Sequence, residues 1–332
     1  NGDRVALTVR GQVFVAPAGP GRLVEASRQP GVRYRQAFFQ PDGKSLVALS
    51  DESGEVEFWR LPANGIGPRA QLTRDAATLR MTGVASPDGK WIAYTERDQE
   101  LWVHEVATGQ ARRVAKSPAT DFDSPELAWS HDSRWLAYVM SPNRSGLSRV
   151  FVYSLEDDRS TPVTSARAAS ASPAWSPDGS LLYYVQNGIA SDGSASRLIR
   201  YDMASKSVAR LGERGLIEPA PSPDGRWVAA TRITSRGSDV VILDAATGQV
   251  VLEVTRGGRS WSPAWSPDGS RLAFLAPRDS DAALQVAVLQ RSSTGILSVL
   301  SITSILRDPV DADVRPAWGA LGPTASGAAP SP

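Results

Sequence analysis

Ser172-Pro173-Ala174-Trp175-Ser176-Pro177-Asp178-Gly179-Ser180 recurs residue for residue as Ser262 to Ser270, a shift of 90 positions. Its centre, Pro-Asp-Gly, is a turn: proline presets φ, aspartate bonds its own backbone, and glycine accepts a positive φ. Working outward, the same turn stands at Pro41-Asp42-Gly43, Pro87-Asp88-Gly89, Pro223-Asp224-Gly225 and, altered, at His131-Asp132-Ser133. The six turn aspartates are spaced 46, 44, 46, 46 and 44 residues apart, so the shift of 90 is two repeats.

Each repeat reads as four strands. A short apolar strand such as Pro263 to Ser266 precedes the turn, and Trp91 to Tyr94 or Arg271 to Phe274 follows it. Leu101 to Glu105 and Val240 to Leu243 read as third strands, which lead through Ala107-Thr108-Gly109-Gln110 or Ala246-Thr247-Gly248-Gln249 into a fourth. No long stretch carries a 3.6-residue apolar period, which predicts an almost helix-free chain. Four antiparallel strands per repeat of this length predict an all-β propeller.

Six turns anchor six blades and leave material at both ends. Arg4 to Thr8, Gln12 to Ala16 and Arg22 to Glu25 read as strands two to four of a blade lacking its first, which Arg315 to Trp318 supplies. Pairing them gives a seventh blade and removes open sheet edges. The expected domain is therefore one seven-bladed propeller over residues 1–320, followed by a flexible tail over 321–332 whose composition is small, polar and proline-rich. The start at Asn1, with no Met and no leader-like run, reads as an excised domain or mature fragment.

Composition narrows the function. Of 332 residues, 41% are hydrophobic and 21% charged, with a net charge of +1, so no whole-chain field favours nucleic acid or an anionic membrane. No apolar run approaches a membrane span. Cysteine is absent and only His104 and His131 are present, which excludes disulfides, thiolate zinc sites and three-histidine metal sites. No Gly-x-Ser-x-Gly elbow occurs. His131, beside Ser130 and Ser133, replaces a turn proline and reads as a hairpin residue, while His104 reads as an ordinary strand histidine. Asp121 and Asp123 read as turn caps or solvated acids, with a cation or amino-group site as the sharper alternative. Asp157-Asp158, Asp192-Gly193 and Gly257-Gly258 read as turn and loop residues. All ten tryptophans fall at repeat-related places and read as inter-blade packing, with Trp129, Trp175, Trp265 and Trp318 on first strands. The expectation is a non-enzyme with no cofactor and no metal.

Since first strands surround a propeller's axis, residues just before their cores are the candidate channel and rim binders: Arg35, Arg80, Asp123, Glu126, Glu218, Arg259 and Arg315. Their mixed signs suit a peptide better than an anion, with charges merely solvated at the channel mouth as the plain alternative.

The Pro-Asp-Gly blades resemble those of the TolB and tricorn protease propellers. Gly2 to Leu7, Arg10 to Phe14, Ser50 to Glu55, Asp98 to Trp102 and Asp132 to Tyr138 are similar to tricorn-type segments, over about residues 2–187. Beyond Asn187 the blades look like generic TolB-type repeats, and the change falls in Asn187 to Ser196, rich in Gly, Ser and Ala. The tricorn resemblance implies a substrate-gating propeller whose protease domains lie elsewhere, and a cytoplasmic setting. The TolB resemblance implies a protein-docking module of the bacterial envelope, hence the periplasm. The change of texture is read as drift within one natural lineage or as an engineered or recombined chimera with no selected ligand, which blade-by-blade packing would tolerate. The expected partner is a peptide or protein, with no nucleic acid, no membrane insertion and a monomeric chain.

Overall fold

The computed structural model describes residues 2–19, 21–118, 126–143, 147–165, 167–187, 195–278, 281–305 and 316–319. Blade 7 takes its outer strands from the start of the chain: β1 (Arg4–Val9), β2 (Gln12–Pro17) and β3 (Val24–Glu25). Blade 1 is β4 (Tyr34–Phe39), β5 (Ser45–Ser50), β6 (Glu57–Pro62) and β7 (Ala70–Gln71). Blade 2 is β8 (Arg80–Ala85), β9 (Trp91–Glu96), β10 (Glu100–Glu105) and β11 (Ala111–Lys116). Blade 3 is β12 (Leu127–Trp129), β13 (Trp135–Met140), β14 (Arg149–Ser154) and β15 (Arg159–Pro162). Blade 4 is β16 (Ser170–Trp175), β17 (Leu181–Gln186), β18 (Arg197–Asp202) and β19 (Val208–Arg214). Blade 5 is β20 (Leu216–Pro221), β21 (Trp227–Thr234), β22 (Gly237–Asp244) and β23 (Val250–Glu253). Blade 6 is β24 (Trp261–Trp265), β25 (Arg271–Arg278), β26 (Asp281–Arg291) and β27 (Leu297–Ser304), after which β28 (Ala317–Trp318) completes blade 7.

The seven sheets are four-stranded and antiparallel, and the described residues contain no helix. The chain is thus a seven-bladed propeller. Its closure is the one the unpaired ends imply: Val5 pairs with Trp318 and Ala6 with Ala317. The innermost strands touch their neighbours around the ring, which places β4, β8, β12, β16, β20, β24 and β28 about the axis.

The repeated turn explains itself atom by atom. Ser86, Ser130, Ser176, Ser222 and Ser266 each donate from Oγ to the turn aspartate two residues on, at 2.6–2.7 Å. The same oxygen accepts the backbone N–H that opens the second strand, from Trp91, Trp135, Leu181, Trp227 and Arg271, at 2.9–3.0 Å. In the altered turn Ser133 takes the glycine's place at φ +61, and its hydroxyl accepts from the Asp88 N–H of the neighbouring blade at 3.0 Å. His131 sits exposed on that turn, as expected.

Between blades lie the apolar clusters. Tyr34, Leu46 and Leu61 pack with Val13 and Val15 between blades 7 and 1, and Phe274, Leu272 and Ala287 pack with Val240 and Ile242 between blades 5 and 6. Polar ties join the innermost strands over these clusters. The indoles of Trp129, Trp175, Trp265 and Trp318 donate to the carbonyls of Val84, Ala128, Ala220 and Ala264, each one blade back, at 2.9–3.1 Å. Those tryptophans are therefore both packing residues and hydrogen-bond donors. Trp261, which the sequence places just ahead of a first strand, is the first residue of β24.

Candidate functional site

Counted back from the turn, the innermost strands share one irregularity. Gln36, Thr82, Glu126, Ser172, Glu218 and Ser262 all stand five residues before the turn's first position. Four of them, Gln36, Ser172, Glu218 and Ser262, hold a positive φ of +52 to +53, unusual for residues with a side chain. Each lies where the ladder to the second strand slips, between Arg35 and Phe38, Ala171 and Ala174, Ile217 and Ala220, and Trp261 and Ala264. Such a bulge re-aims the side chain.

Gln36 and Glu218 aim toward the next blade, and Ser172 and Ser262 meet the carboxylates of the blade before. The Glu126 carboxylate accepts from the Ser172 backbone N–H and from the Ser172 hydroxyl, the latter at 3.1 Å. Glu218 repeats the arrangement two blades on, accepting from the Ser262 N–H at 2.8 Å, the Ser262 hydroxyl at 3.0 Å and the Thr231 hydroxyl at 2.7 Å. Gln36 accepts from the Gly83 N–H at 3.0 Å. The sequence names Glu126 and Glu218 but not their serine partners. Aligning the repeats on the turn, which stacks all six residues in one column, is the signal that finds them.

Arg80 is placed differently from the sequence expectation of a channel or rim binder. Its side chain is wholly buried between blades 1 and 2. It pairs with the buried Glu57 carboxylate, reaches the Thr73 hydroxyl and the Asp75 carboxylate at 2.7 Å each, and lies over the Tyr94 and Phe58 rings. Burial pushes the Tyr94 phenol up to about 12, against the pull of the Arg80 charge. A guanidinium enclosed in this way holds two blades together and is not presented to solvent. The physical reason is Glu57: a buried carboxylate needs a paired cation.

Of the remaining candidates, Arg35 is half-buried and donates to the Arg80 carbonyl at 3.2 Å. Burial, and then the neighbouring Arg33, lower its pKa from the ordinary arginine value. Arg259 is exposed in the loop before β24, where it forms an isolated bridge with Ser238. Asp123 and Arg315 lie outside the described residues, as do Asp121, Asp192 and the tail over 321–332. The candidates do not converge on one point. The described ones stand five to eight residues before the turn on five different blades, around the N-terminal ends of the innermost strands. Beside them, six residues before the turn, stand half-buried Met81, Ala171, Ile217 and Trp261, so this end of the axis is more apolar than the charges alone suggest.

His104 occupies β10, buried. Burial lowers its pKa from the ordinary histidine value; Asp75 opposes that shift and Arg80 adds to it. Among the described residues, no group of three or more His, Asp or Glu side chains is placed to hold a metal ion.

The comparisons with known proteins name tricorn and TolB propellers. The tricorn protease homolog of Saccharolobus solfataricus is 28% identical over 186 residues, which is 56% of this chain and 16% of that protein. The TolB homolog of Chlorobium luteolum is 28% identical over 142 residues, 42% of this chain and 31% of that protein. The chain thus spans a small part of the length of these relatives. In fold, the crystal structure of the tricorn protease superposes on 93% of this chain and 34% of its own with a TM-score of 0.69, at 13% identity. The family described as the tricorn protease second beta propeller domain matches residues 1–188, ending one residue past Asn187. Matched over more than half its length, the chain belongs to the tricorn protease second β-propeller domain family.

Proposed function

We propose that this ring is a non-enzymatic scaffold that binds peptide or protein at its axis and rim, as a gating propeller working with a tricorn-type protease. One observation carries the reading: a chain of this family arranges seven innermost strands about an axis, with side chains at the strand ends differing in charge from blade to blade. Rigid inter-blade ties at Trp175, Trp265 and Glu218 suit a scaffold that presents a fixed opening. Arg35 and Arg259 are the proposed ligand contacts. Glu126 and Glu218 act by holding the opening in shape, and Asp123 and Arg315 are proposed with them from their repeat positions.

The test is incubation of the purified protein with a diverse pool of unstructured peptides, read by mass spectrometry for retention and for cleavage. Weak, selective retention without cleavage, altered by Arg35→Glu, is expected. Cleavage traceable to this chain would overturn the non-enzymatic reading. A second reading, rim docking of one folded partner, is favoured by the TolB likeness and predicts no peptide retention but capture of a single protein. A recombined ring without a selected ligand would retain neither.

A further inference from the structure

The outermost strand of blade 6 differs from the other six outermost strands. β27 is eight residues long and carries no charge, and the sequence holds none from Ser292 to Leu306. By contrast β3 and β7 are two residues long. β11, β15, β19 and β23 are longer, but each carries charge, as at Arg113, Arg159, Arg210 and Glu253. Shortness and charge both keep an open sheet edge from pairing with another chain. Blade 6 has neither protection.

Large apolar side chains stand in water along the same strand. Leu300 is 60% exposed and Ile302 42%, and Ile296 just ahead of them is 68% exposed. Leu300 and Ile302 do not belong to a frayed end. Before them Leu297 and Val299 pack between blades 5 and 6, and after them Ile305 packs between blades 6 and 7. Leu300 marks the place where the ladder to β26 slips. Past the slip, Ser301 to Ser304 pair in unbroken register with Val288 to Gln285, and all four are exposed. β27 is the last strand of its sheet, so alternate N–H and C=O groups of this regular segment point away from β26. Among the described residues, no strand pairs with them.

We propose that the free edge of β27 pairs with the same edge of a second copy of this chain. The two strands run antiparallel about a two-fold axis, and two four-stranded blades become one continuous sheet. The occupant follows from the charges. A two-fold sets a strand against itself, and like charges opposite one another in a ladder are destabilising. β27 brings none. Pairing it with another edge of the copy would set it against a strand that is shorter or charged. Such a contact would also leave the copy's own β27 open, so it would run on as a filament instead of closing. Self-pairing covers both edges at once, and Leu300 and Ile302 of both copies leave water together. One strand pair is small beside a standard interface, so the dimer is weak and reversible. This site lies on the outer wall of the ring, apart from the axial opening, and does not depend on the function proposed there.

The experiment is sedimentation velocity on the full chain from about 1 to 300 µM, with hydrogen exchange over β27 at both ends of that range. A dimer that grows with concentration and protects β27 amides is expected. Ile302→Lys should weaken dimerisation about tenfold or more, while circular dichroism and melting temperature stay unchanged. Ile302→Glu should do the same, and an equal mixture of the two variants should associate again, because opposite charges then meet across the edge. Val208→Lys, at an exposed residue of the β19 edge, should leave the dimer intact. A chain that stays monomeric at every concentration, as expected from the sequence, would overturn the proposal. So would a dimer untouched by Ile302→Lys, one weakened as much by Val208→Lys, one without protection of β27, or variants that stay apart when mixed. Growth past the dimer would overturn it in favour of open-ended edge stacking.

Discussion

The Trp175 indole donates to the Ala128 carbonyl at 3.0 Å, joining blade 4 to blade 3 at the innermost strand of each. Trp175→Phe keeps most of the packing and removes the donor to the half-buried Ala128 carbonyl. A loss of about 1–2 kcal/mol in unfolding free energy is expected, read from urea denaturation. A loss no larger than that of an exposed substitution would show the tie to be incidental.

Arg80 and Glu57 form a buried pair, so each depends on the other. Arg80→Met strands the Glu57 carboxylate and is expected to cost about 3–5 kcal/mol. Joined with Glu57→Leu it should cost clearly less than the two single changes summed, because the stranded charge is gone. A double-mutant cycle measures this, and simple additivity would refute the coupling.

Acid should unfold the ring in two stages. His104 is buried with its pKa below the ordinary 6.5, so the unfolded chain takes up a proton there before the folded one does. Stability is therefore lost as pH falls from 6.5 toward the lower folded value. Asp178 is held below its ordinary 3.8 by the Ser176 hydroxyl, then by the Ser180 hydroxyl and N–H. At Asp132 and Asp268 burial alone would raise the pKa, but serine and backbone hydrogen bonds outweigh it. These carboxylates stabilise the fold above 3.8 and cease to do so as pH drops through their lower folded values. Denaturation midpoints across pH should show both stages. His104→Phe should remove the first alone, and an unchanged first stage in that variant would contradict the assignment.

Gly212 and Gly257 separate backbone strain from crowding. Both hold positive φ, +71 and +67. A Cβ on Gly212 would meet Leu216 Cδ1 at 2.6 Å and Leu243 Cδ2 at 2.7 Å, whereas one on Gly257 meets nothing within 4 Å. Gly257→Ala should therefore cost about 1 kcal/mol and Gly212→Ala about 2–3 kcal/mol. Thermal melts of the two variants compare them directly. Equal costs would mean that Leu216 and Leu243 yield freely.

The sequence discloses the ring because its information is periodic. Pro177-Asp178-Gly179 and its relatives announce a turn by their own backbone chemistry, and counting the turns leaves two ends that must pair. The tryptophans before the turns are legible for the same reason. Arg80 was not legible as a buried residue, because its partner Glu57 lies 23 residues earlier on another blade and follows no repeat. The partner of Glu218 is hidden for a different reason. Counting alternate residues along β20 assumes an unbroken pleat, and Glu218 lies inside the bulge between Ile217 and Ala220 that breaks it. Ser262, its partner, reads as one more serine before a proline until the blades are stacked in register.

Among the described residues, Ala317 and Trp318 form the one strand of blade 7 that comes from the far end of the chain. During synthesis of this ring β1 is made before every other strand and its partner β28 after them. Until β28 has been made, this ring is an open arc with β1 exposed as an unpaired edge, free to recruit a neighbouring nascent chain. Closure also joins residues more than 300 apart in sequence, such as Val5 and Trp318, and such non-local pairing is the slow kind to form. The time between making β1 and making β28, set by the ribosome, is thus the interval in which this protein is most exposed to misassembly.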